Sequence, residues 1–395
     1  MNPLDDHRRH LDSIDDRLLD LLAERSAIAR EVAVSKDERG ARLRDRTREA
    51  QLLARVARKA QELGIPAEQA VRIFQEILNL SFHEQVSAVA APASGEGHAR
   101  VGYQGVPGAW SEMAAEKIMS ARHRAITAVG FHTFESVAEA VVDGRVDYGI
   151  LPVENTLAGS INDTYDLLKR HALSIVGEEV LRVDHCLAGM PGAALHHIRR
   201  VYSHPQALVQ CSAFLGGLPG VEAHVYFDTA AAMQKIAADQ DPSAAAIGGA
   251  HAAFRYELAV LREGIADHPE NYTRFLLVSQ KPESVPRAAA CKTSIIMTVR
   301  HEEGALLSAL NIIHRHHINL TKLESRPRPG HPFEYFFYVD FEGNIEDAEV
   351  ASMLDELRAA TGEIRVLGSY VSRTVSEGRP VTPGEIRDSG STARE

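Results

Sequence analysis

The sequence predicts a multidomain chain: an all-α N-terminal domain, a two-lobed α/β domain and a small α+β domain of ferredoxin-like order. Residues 1–85 contain almost no turn-forming residues and repeat apolar side chains at intervals of three and four. Residues 101–282 twice alternate short apolar runs with helical patterns. Residues 293–372 follow the order βαββαβ.

The predicted domain boundaries fall where the composition changes. Residues 87–99, within VSAVAAPASGEGHA, are rich in Ala, Ser, Gly and Pro and indicate a linker after a helical domain over 1–86. The polar stretch KPESVPRAAACK separates an α/β domain over 100–281 from an α+β domain over 292–372. We expect the polar tail, 377–395, to be disordered.

Composition excludes several classes of protein. The chain has 395 residues, 45% of them apolar, and no uncharged apolar run of about 18 residues that could span a membrane. The charged N-terminus does not resemble a signal peptide. Cys186, Cys211 and Cys291 lie too far apart for a zinc site and are odd in number, as expected in a reducing cytoplasm. The net charge of −11 disfavours nonspecific nucleic-acid binding.

The first helix is predicted to run from about residue 5 to residue 38. Its apolar seam is Leu11, Ile14, Leu18, Leu21, Ile28 and Val32, and Arg25 lies in that same seam. Such a helix would be roughly 50 Å long. A unit of this size cannot bury so long a seam, so we expect two chains to intertwine. Two further helices are expected, over about 45–63 and 66–86, with a break at Gly64-Ile65-Pro66.

Charged and polar residues of the helical domain share helix faces. These face-sharing sets are Arg25 with Lys36, Asp45 with Arg48 and Glu49, and Ser81 with Gln85. A cation in an apolar seam needs a partner. Arg25 could therefore pair with a carboxylate of another helix, or the cations could together bind a small dianion. Nucleic-acid binding is disfavoured, because in the basic stretch 36–59 acidic side chains interleave with the basic ones and no aromatic residue does.

These residues resemble the all-helical type of chorismate mutase over about 85 residues. The resemblance implies that Arg8 of a partner chain, Arg25 and Arg48 hold the substrate carboxylates, and that Lys36 and Gln85 donate to the breaking ether bond. Asp45 and Glu49 would bind ring or hydroxyl groups, and Ser81 would lie close to a carboxylate. The rearrangement is pericyclic, so catalysis would come from positioning and preorganised donors.

Four polar turns of the middle domain fall at corresponding ends of predicted strands. They are GVPGAWS with Ser111, PVENTLAGS with Glu154, Asn155 and Ser160, SHPQALVQC with Ser203, His204, Gln206 and Gln210, and NYTRF with Thr273 and Arg274. Each could simply cap a helix. Together, at matching edges of two duplicated α/β lobes with parallel sheets, they favour a polar site in the cleft between the lobes. GVPGAWS matches neither common nucleotide-binding loop.

The four turns, in this order, resemble prephenate dehydratases over 101–280, and partly the plant arogenate dehydratases, which leaves the keto or amino substrate open. The resemblance implies a periplasmic-binding-protein-like fold. It makes Thr273 the catalytic residue and Arg274 a carboxylate anchor, and Ser111, Asn155, Gln206 and Gln210 would orient the substrate. Glu154, Ser160, Ser203 and His204 complete the expected prephenate site. His204 could be an acid or a capping residue. No metal or other cofactor is expected.

The α+β domain resembles ACT domains of the phenylalanine-binding kind. GALLSALNIIHRHHINLTKLESRP carries the resemblance, with a glycine-led helix start and an ESRP box. By resemblance, Gly304, Ala305 and Leu306 would meet the amino-acid carboxylate. Asn319 would lie near the subunit interface, and Glu324, Ser325 and Arg326 would lie at the effector pocket or its coupled loop. Asn319 and Leu320 are also expected among the effector-binding residues. A structural unit that binds nothing is the alternative. The run 314–317 of His and Arg ends a helix, where basic residues favour the dipole over a metal site.

Together the resemblances predict a cytoplasmic, homodimeric, bifunctional enzyme of phenylalanine biosynthesis. It would turn chorismate into prephenate and prephenate into phenylpyruvate, with feedback inhibition by L-phenylalanine. The alternative is an amino-acid- or dicarboxylate-binding regulator. Such a sensor would need neither Thr273 nor the pair Lys36 and Gln85.

Overall fold

The computed structural model describes residues 3–38, 46–89, 98–120, 122, 125–285, 289–328, 330–331 and 333–373. The chain forms two compact units: one contains the N-terminal helices, and the other contains residues 94–285 and 291–373. The expected tail over 377–395 and most of the expected linker lie outside the described residues. None of the described helices combines the length and apolarity needed to cross a membrane.

The N-terminal unit consists of three helices, as predicted: α1 (Pro3–Glu38), α2 (Arg46–Glu62) and α3 (Ala67–Val89). The turn between α2 and α3 contains Gly64 with a φ of +72°, which explains the break there. Both α1 and α2 pack against α3. Val56, Ala60 and Ala70 form a small buried cluster between α2 and α3.

The apolar seam of α1 is largely uncovered within one chain. Leu11, Leu18 and Leu21 are 59%, 53% and 60% exposed, and Ile28 is 52% exposed. A contiguous stripe of this size on a soluble protein is typical of an interaction surface.

The second unit begins with a mixed sheet in the order β2-β1-β3-β11-β5, with the short β4 paired to β3. The strands are β1 (His98–Gln104), β2 (Ala125–Phe131), β3 (Tyr148–Asn155), β4 (Gly159–Ser160), β5 (Ser174–Arg182) and β11 (Tyr272–Ser279). Its helices are α4 (Trp110–Ser120), α5 (Phe134–Val142) and α6 (Asn162–Arg170).

A second sheet has the order β10-β6-β9-β7-β8. Its strands are β6 (Cys186–Gly189), β7 (Arg200–Ser203), β8 (Glu222–Val225), β9 (Ala244–Gly248) and β10 (Ala259–Arg262). Its helices are α7 (Pro205–Gln210), α8 (Ser212–Gly216), α9 (Thr229–Asp239) and α10 (Ala250–Arg255), with a 3-10 turn at Leu195–His197.

The two sheets contain corresponding three-strand sets, and they correct one detail of the prediction. The parallel strands β2-β1-β3 of the first sheet correspond in order and direction to β8-β7-β9 of the second. The sheets are not wholly parallel as expected, because β5 and β11 pair antiparallel in the first, and β6 and β10 do so in the second. These are the strands at which the chain passes from one sheet to the other and back, so they carry the two crossovers.

The C-terminal part has the predicted βαββαβ order. It contains β12 (Cys291–Thr298), α11 (Ala305–Arg315), β13 (Leu320–Pro327), β14 (Tyr335–Glu342), α12 (Ala348–Ala360) and β15 (Ile364–Val371). Its sheet order, β13-β14-β12-β15, is the ferredoxin-like arrangement. One face of this sheet packs on its own helices, through Val339, Phe341 and Met353 among others.

The other face of the C-terminal sheet shares a core with the first sheet. Phe336, Tyr338 and Tyr370 are 6% exposed or less and belong to the same apolar cluster as Leu151 and Ile175. The backbone of β15 approaches β5 so closely that a Cβ on Gly368 would lie 2.1 Å from the Ile175 carbonyl oxygen. The C-terminal part is therefore docked by a continuous packed interface.

Candidate active sites

The centre of the two-sheet unit is a cluster of buried amides around Thr273. Thr273 of β11 lies opposite Asn155, the last residue of β3. Asn155 Nδ2 lies 3.0 Å from Thr273 Oγ1 and 2.7 Å from Asn271 Oδ1. Gln210, at the end of α7 in the second lobe, closes the cluster with Nε2 3.4 Å from Asn155 Oδ1. Three of the predicted residues, Asn155, Gln210 and Thr273, are thus brought together at the junction of the lobes.

Two backbone groups set the direction of every hydrogen bond in this cluster. The amides of Leu157 and Ala158 donate to Asn155 Oδ1 at 3.0 and 2.8 Å. This oxygen can only accept, so the Asn155 amide nitrogen must point at Thr273 and Asn271. Thr273 Oγ1 accepts from Asn155, and its own hydroxyl hydrogen is consequently available for another acceptor.

A buried histidine lies at the far end of the same chain of bonds. His185, 3% exposed, contacts Gln210 Oε1 through Nε2 at 2.9 Å. Asn271 Nδ2 donates to the same oxygen at 3.0 Å. Burial lowers the pKa of the His185 imidazole, although its bond to Gln210 opposes this. The neutral ring must then donate through Nε2.

Three other predicted prephenate ligands face away from this cluster. Glu154 pairs with Lys322 at 3.1 Å, and Ser160 Oγ donates to Glu324 Oε2 at 2.6 Å. Both partners belong to the C-terminal sheet. Successive side chains of a strand point to opposite faces, so Glu154 and Arg274 lie on the other side of the sheet from Asn155 and Thr273.

Arg274 is buried in an ionic network between the first sheet and the C-terminal sheet. Its guanidinium contacts Glu178 at 2.7 Å, Asp340 at 2.6 Å and the Tyr370 hydroxyl at 2.8 Å. Burial alone lowers the pKa of Arg274, but Tyr370, Asp340 and Glu178 raise it well above its ordinary value. Lys292 adds a second cation on Glu178 at 3.0 Å. All these contacts hold the two domains together, and the structure does not bring the Arg274 side chain to the Thr273 hydroxyl.

The remaining predicted residues of this unit lie near the lobe edges. Ser203 is fully buried and donates to the Ile247 carbonyl at 2.7 Å. His204 caps α7, with Nδ1 accepting from the Gln206 amide at 3.2 Å, and Gln206 itself is exposed. Ser111 is buried in the first turn of α4. Capping and structural bonds therefore account for the contacts seen at Ser203 and His204.

In the helical unit, α1 and α3 bring Arg25 and Ser81 together. Arg25 Nη1 donates to the Ile77 carbonyl at 3.1 Å, and Ser81 Oγ donates to the same oxygen at 2.9 Å. Burial lowers the pKa of Arg25. Lys36, Glu49 and Gln85 are half-buried and Arg48 is exposed, as is Arg8, which pairs with Asp5. Asp45 lies outside the described residues.

A cavity of about 540 Å³ opens at the N-terminus of α11. Its lining includes three of the predicted effector residues, Gly304, Ala305 and Leu306, together with Phe333 and Tyr335. The other predicted effector residues lie elsewhere: Asn319, Leu320, Glu324, Ser325 and Arg326 do not line it. Glu324 and Arg326 instead contact Ser160 and Asp166 of the first sheet and its helix, the latter at 2.7 Å. Among the described residues there is no cluster of three His, Cys, Asp or Glu side chains suited to a metal.

Sequence reasoning missed His185, Asn271, Glu178 and Asp340. Asn271 could have been noticed, because it lies two residues before Thr273 and so on the same face of an extended segment. Glu178 and Asp340 stand within apolar strands, where an ionised side chain needs a buried partner. His185 carries no such signal, since it lies between two strands beside Cys186.

Replacing Arg274 with Met should lower the free energy of unfolding by about 3–5 kcal/mol, because Glu178 and Asp340 would lose a buried counter-charge. Arg200→Met is the control, since it breaks an exposed pair with Asp241 and should cost no more than about 1 kcal/mol. Urea unfolding of the purified variants measures both. Equal stability of the two variants, with a raised KM for prephenate in Arg274→Met alone, would show instead that Arg274 anchors substrate.

Comparison with known proteins agrees with this division of the chain. Residues 7–86 match the family model of chorismate mutase type II, and residues 101–283 match that of prephenate dehydratase. A bifunctional chorismate mutase/prephenate dehydratase of Enterobacter agglomerans is 36% identical over 382 residues, which is 96% of this chain and 98% of that protein. An arogenate dehydratase/prephenate dehydratase of Arabidopsis thaliana is 39% identical over 316 residues, 78% of this chain and 82% of the relative.

A solved structure is similar as well. The prephenate dehydratase of Arthrobacter aurescens in complex with L-Phe superposes with a TM-score of 0.63 and 31% identity, over 69% of this chain and 90% of that one. With one relative matching nearly its whole length and two family models in the same order, this chain belongs to the family of bifunctional chorismate mutase/prephenate dehydratases.

Proposed function

We propose that the helical unit rearranges chorismate to prephenate, that the two-sheet unit converts prephenate to phenylpyruvate at Thr273, and that the C-terminal part is an ACT domain through which L-phenylalanine inhibits. The observation that carries the dehydratase assignment is the hydroxyl of Thr273, whose oxygen accepts from Asn155. Incubating the purified chain with chorismate and assaying phenylpyruvate tests the whole sequence of reactions. Replacing prephenate by arogenate tests the choice between keto and amino substrates.

The dehydratase reaction needs one well-placed donor. The bond between the ring carbon and its hydroxyl breaks while the bond to the ring carboxylate gives its electrons to the ring. Carbon dioxide leaves, and the departing hydroxyl takes up a proton as water. Aromatisation drives the reaction, so the protein has to bind, orient and donate.

Thr273 is suited to donate because Asn155 already engages one lone pair of its oxygen. Asn155 donates to Oγ1, so the hydroxyl hydrogen turns away from the amide cluster toward a substrate in the cleft. A threonine hydroxyl is a weak acid, so its role is an oriented hydrogen bond to the departing hydroxyl rather than a free proton source. Water, or a further acid near the cleft, would supply the net proton.

The two-lobed arrangement supports a binding-protein-like cleft. The first sheet contributes Asn155 and Thr273, and the second lobe contributes Gln210. A ligand between lobes joined by two crossovers can be enclosed by their closure. Closure excludes water, which strengthens the hydrogen bonds to the departing hydroxyl and favours loss of the carboxylate charge.

In the mutase, Arg25 and Ser81 form the centre of the proposed substrate site. The supporting observation is that both side chains donate to the same backbone carbonyl and therefore lie side by side. Lys36 and Gln85 would donate to the ether oxygen, and Arg48, Glu49 and Asp45 would complete the site. Arg8 would come from a second copy of the chain. That second copy is also the occupant we propose for the exposed seam of α1, because Leu11, Leu18 and Leu21 are each more than half exposed in one chain.

For regulation, the cavity at the start of α11 supports an amino-acid site. It joins the N-terminus of a helix, which favours a carboxylate, to the aromatic side chains of Phe333 and Tyr335, which suit an apolar side chain. Gly304 has a φ of +77° and no neighbour within 4 Å of where its Cβ would lie. A larger residue at position 304 would strain the backbone before the helix, because its φ is positive, but its Cβ would not clash with any neighbour.

Thr273→Val should lower kcat for prephenate at least about 10²-fold, as for loss of one preorganised donor, while Thr273→Ser should keep most of the activity. Valine has nearly the size and shape of threonine and lacks the hydroxyl, whereas serine keeps the hydroxyl and lacks the methyl group. Steady-state phenylpyruvate formation measures kcat and KM. Wild-type turnover by Thr273→Val would exclude the hydroxyl as the donor.

Lys36→Ala should lower chorismate mutase turnover by about 10²-fold or more, because a cation beside the ether oxygen stabilises charge that develops only in the transition state. Dehydratase activity should be unchanged in the same preparation, since its residues belong to another domain. Arg55→Ala, on the exposed face of α2, is the matched control and should leave both activities intact. A parallel fall of both activities in Lys36→Ala would indicate misfolding and contradict the assignment.

Gly304→Ala should weaken L-phenylalanine binding about tenfold, since a strained αL residue would change the backbone at the start of α11. Calorimetry measures binding, and inhibition of phenylpyruvate release measures its effect. Gly192→Ala, also at a positive φ of +83° with open space around it, is the control and should bind normally. Undiminished inhibition in a Gly304→Ala variant that no longer binds at this cavity would place the effector elsewhere.

A further inference from the structure

We propose that His185 is a positioning residue for the dehydratase reaction, acting on Thr273 through Gln210 and Asn155. The proposal rests on the function proposed above for Thr273. His185 does not touch the Thr273 hydroxyl; its effect passes through two amide side chains that the structure connects by hydrogen bonds.

The first step is the polarity of the chain. The Leu157 and Ala158 amides fix Asn155 Oδ1 as an acceptor. Asn155 Nδ2 therefore donates to Asn271 Oδ1, which leaves the Asn271 nitrogen to donate to Gln210 Oε1. Gln210 is then held with its oxygen toward His185 and its nitrogen toward Asn155. Reversal of any one amide would set two donors or two acceptors against each other in a buried place.

His185 provides the second hold on Gln210. The Oε1 atom accepts from Asn271 at 3.0 Å and from His185 at 2.9 Å, so both of its lone pairs are used. Without His185, Gln210 would keep one bond at this oxygen. The orientation of the Gln210 amide would then be less restricted, and so would its weak 3.4 Å contact to Asn155. We expect the loss to loosen Asn155 and Thr273 rather than to empty the cleft.

His185 lies where the chain crosses between the two lobes, so its bond to Gln210 can affect how the lobes are positioned. The residue lies in the crossover from β5 to β6, and Asn271 lies in the return crossover just before β11. The two crossovers are joined by the Val183 amide, which donates to the Asn271 carbonyl at 2.7 Å. Gln210 belongs to the second lobe, while Asn155 and Thr273 belong to the first. His185 thus fixes a second-lobe side chain at the point where the lobes are hinged.

His185 also has a group that packing alone does not explain. Its Nδ1 is buried and has no hydrogen-bond partner within the described part of the chain. A purely apolar residue would fill this space without leaving a buried polar atom unsatisfied. What the imidazole provides, and an apolar side chain could not, is the hydrogen bond from Nε2 to Gln210.

The test compares His185→Gln, His185→Asn and His185→Phe in the full-length protein. The amide of glutamine reaches the place of Nε2 and can donate to Gln210, whereas that of asparagine is one methylene shorter and cannot. Phenylalanine retains ring volume without a donor. Prephenate turnover gives kcat and KM, and thermal unfolding and near-ultraviolet circular dichroism report on the fold of each variant.

We expect His185→Phe and His185→Asn to lose about tenfold or more in kcat, with KM within about threefold of wild type, and His185→Gln to stay within about threefold in both. A rise in KM alone, equal losses in glutamine and asparagine variants, or full activity of His185→Asn would each overturn the proposal. If the phenylalanine variant fails to fold, the two amide variants still decide the outcome. Absence of dehydratase activity in the wild-type chain would refute the proposed function itself, which is a separate result.

Discussion

The two-sheet unit depends on the alternation of side chains along two paired strands, β3 and β11. Their register sets Asn155 opposite Thr273 and Glu154 opposite Arg274. Because neighbours on a strand face opposite ways, one pair points into the amide cluster and the other into the C-terminal sheet. A single layer of backbone therefore presents the amide cluster on one face and, on the other, the surface on which the C-terminal domain docks. A shift of register by one residue would exchange the two faces.

The docking face is ionic at its centre and apolar around it. Arg274 and Lys292 meet Glu178 and Asp340 in a place where Glu178 has no exposed side-chain surface. Such a network adds little net stability over apolar packing, because desolvation offsets most of the attraction. Its effect is to define one arrangement, since a displaced C-terminal domain would leave charges unpaired. Ser294 donates to Asp340 and the Arg373 amide donates to Glu178. The Tyr370 hydroxyl contacts Ser294 and the Arg274 guanidinium, so the network allows few alternatives.

Much of the fold was predictable because its signals are local. Periodicity predicted the three helices of the N-terminal unit, and the sequence of strand-like and helix-like segments predicted the βαββαβ order. The antiparallel strands β5 and β11 were not predicted, since a chain that leaves a sheet and returns to it makes no local pattern. Thr273, Asn155 and Gln210 were recognisable as polar residues at strand and helix ends, and the structure brings them together.

Prediction was less successful for residues whose partners come from another domain. Arg274 follows Thr273 directly, and nothing in NYTRF says that its side chain faces a different domain. Glu324 and Arg326 were expected at the effector pocket or its coupled loop, and the sequence did not identify their partners, Ser160 and Asp166, across the same interface. A charged residue in an apolar strand predicts that a partner exists, but the identity of that partner depends on the tertiary fold.

The strand β14 joins the cavity near α11 to the face that carries Arg274. Phe337 lines the cavity, whereas Asp340, three residues further on, points to the opposite side and binds the Arg274 guanidinium. A ligand that bound more tightly to one setting of β14 would favour one setting of Asp340, and hence of Arg274. Arg274 and Thr273 are consecutive residues of β11, so a shift of the β11 backbone that accompanied the guanidinium would also move the Thr273 hydroxyl. Packed cores admit few arrangements rather than a continuous range, so a small shift at β14 would be passed to the hydroxyl as a change between discrete positions.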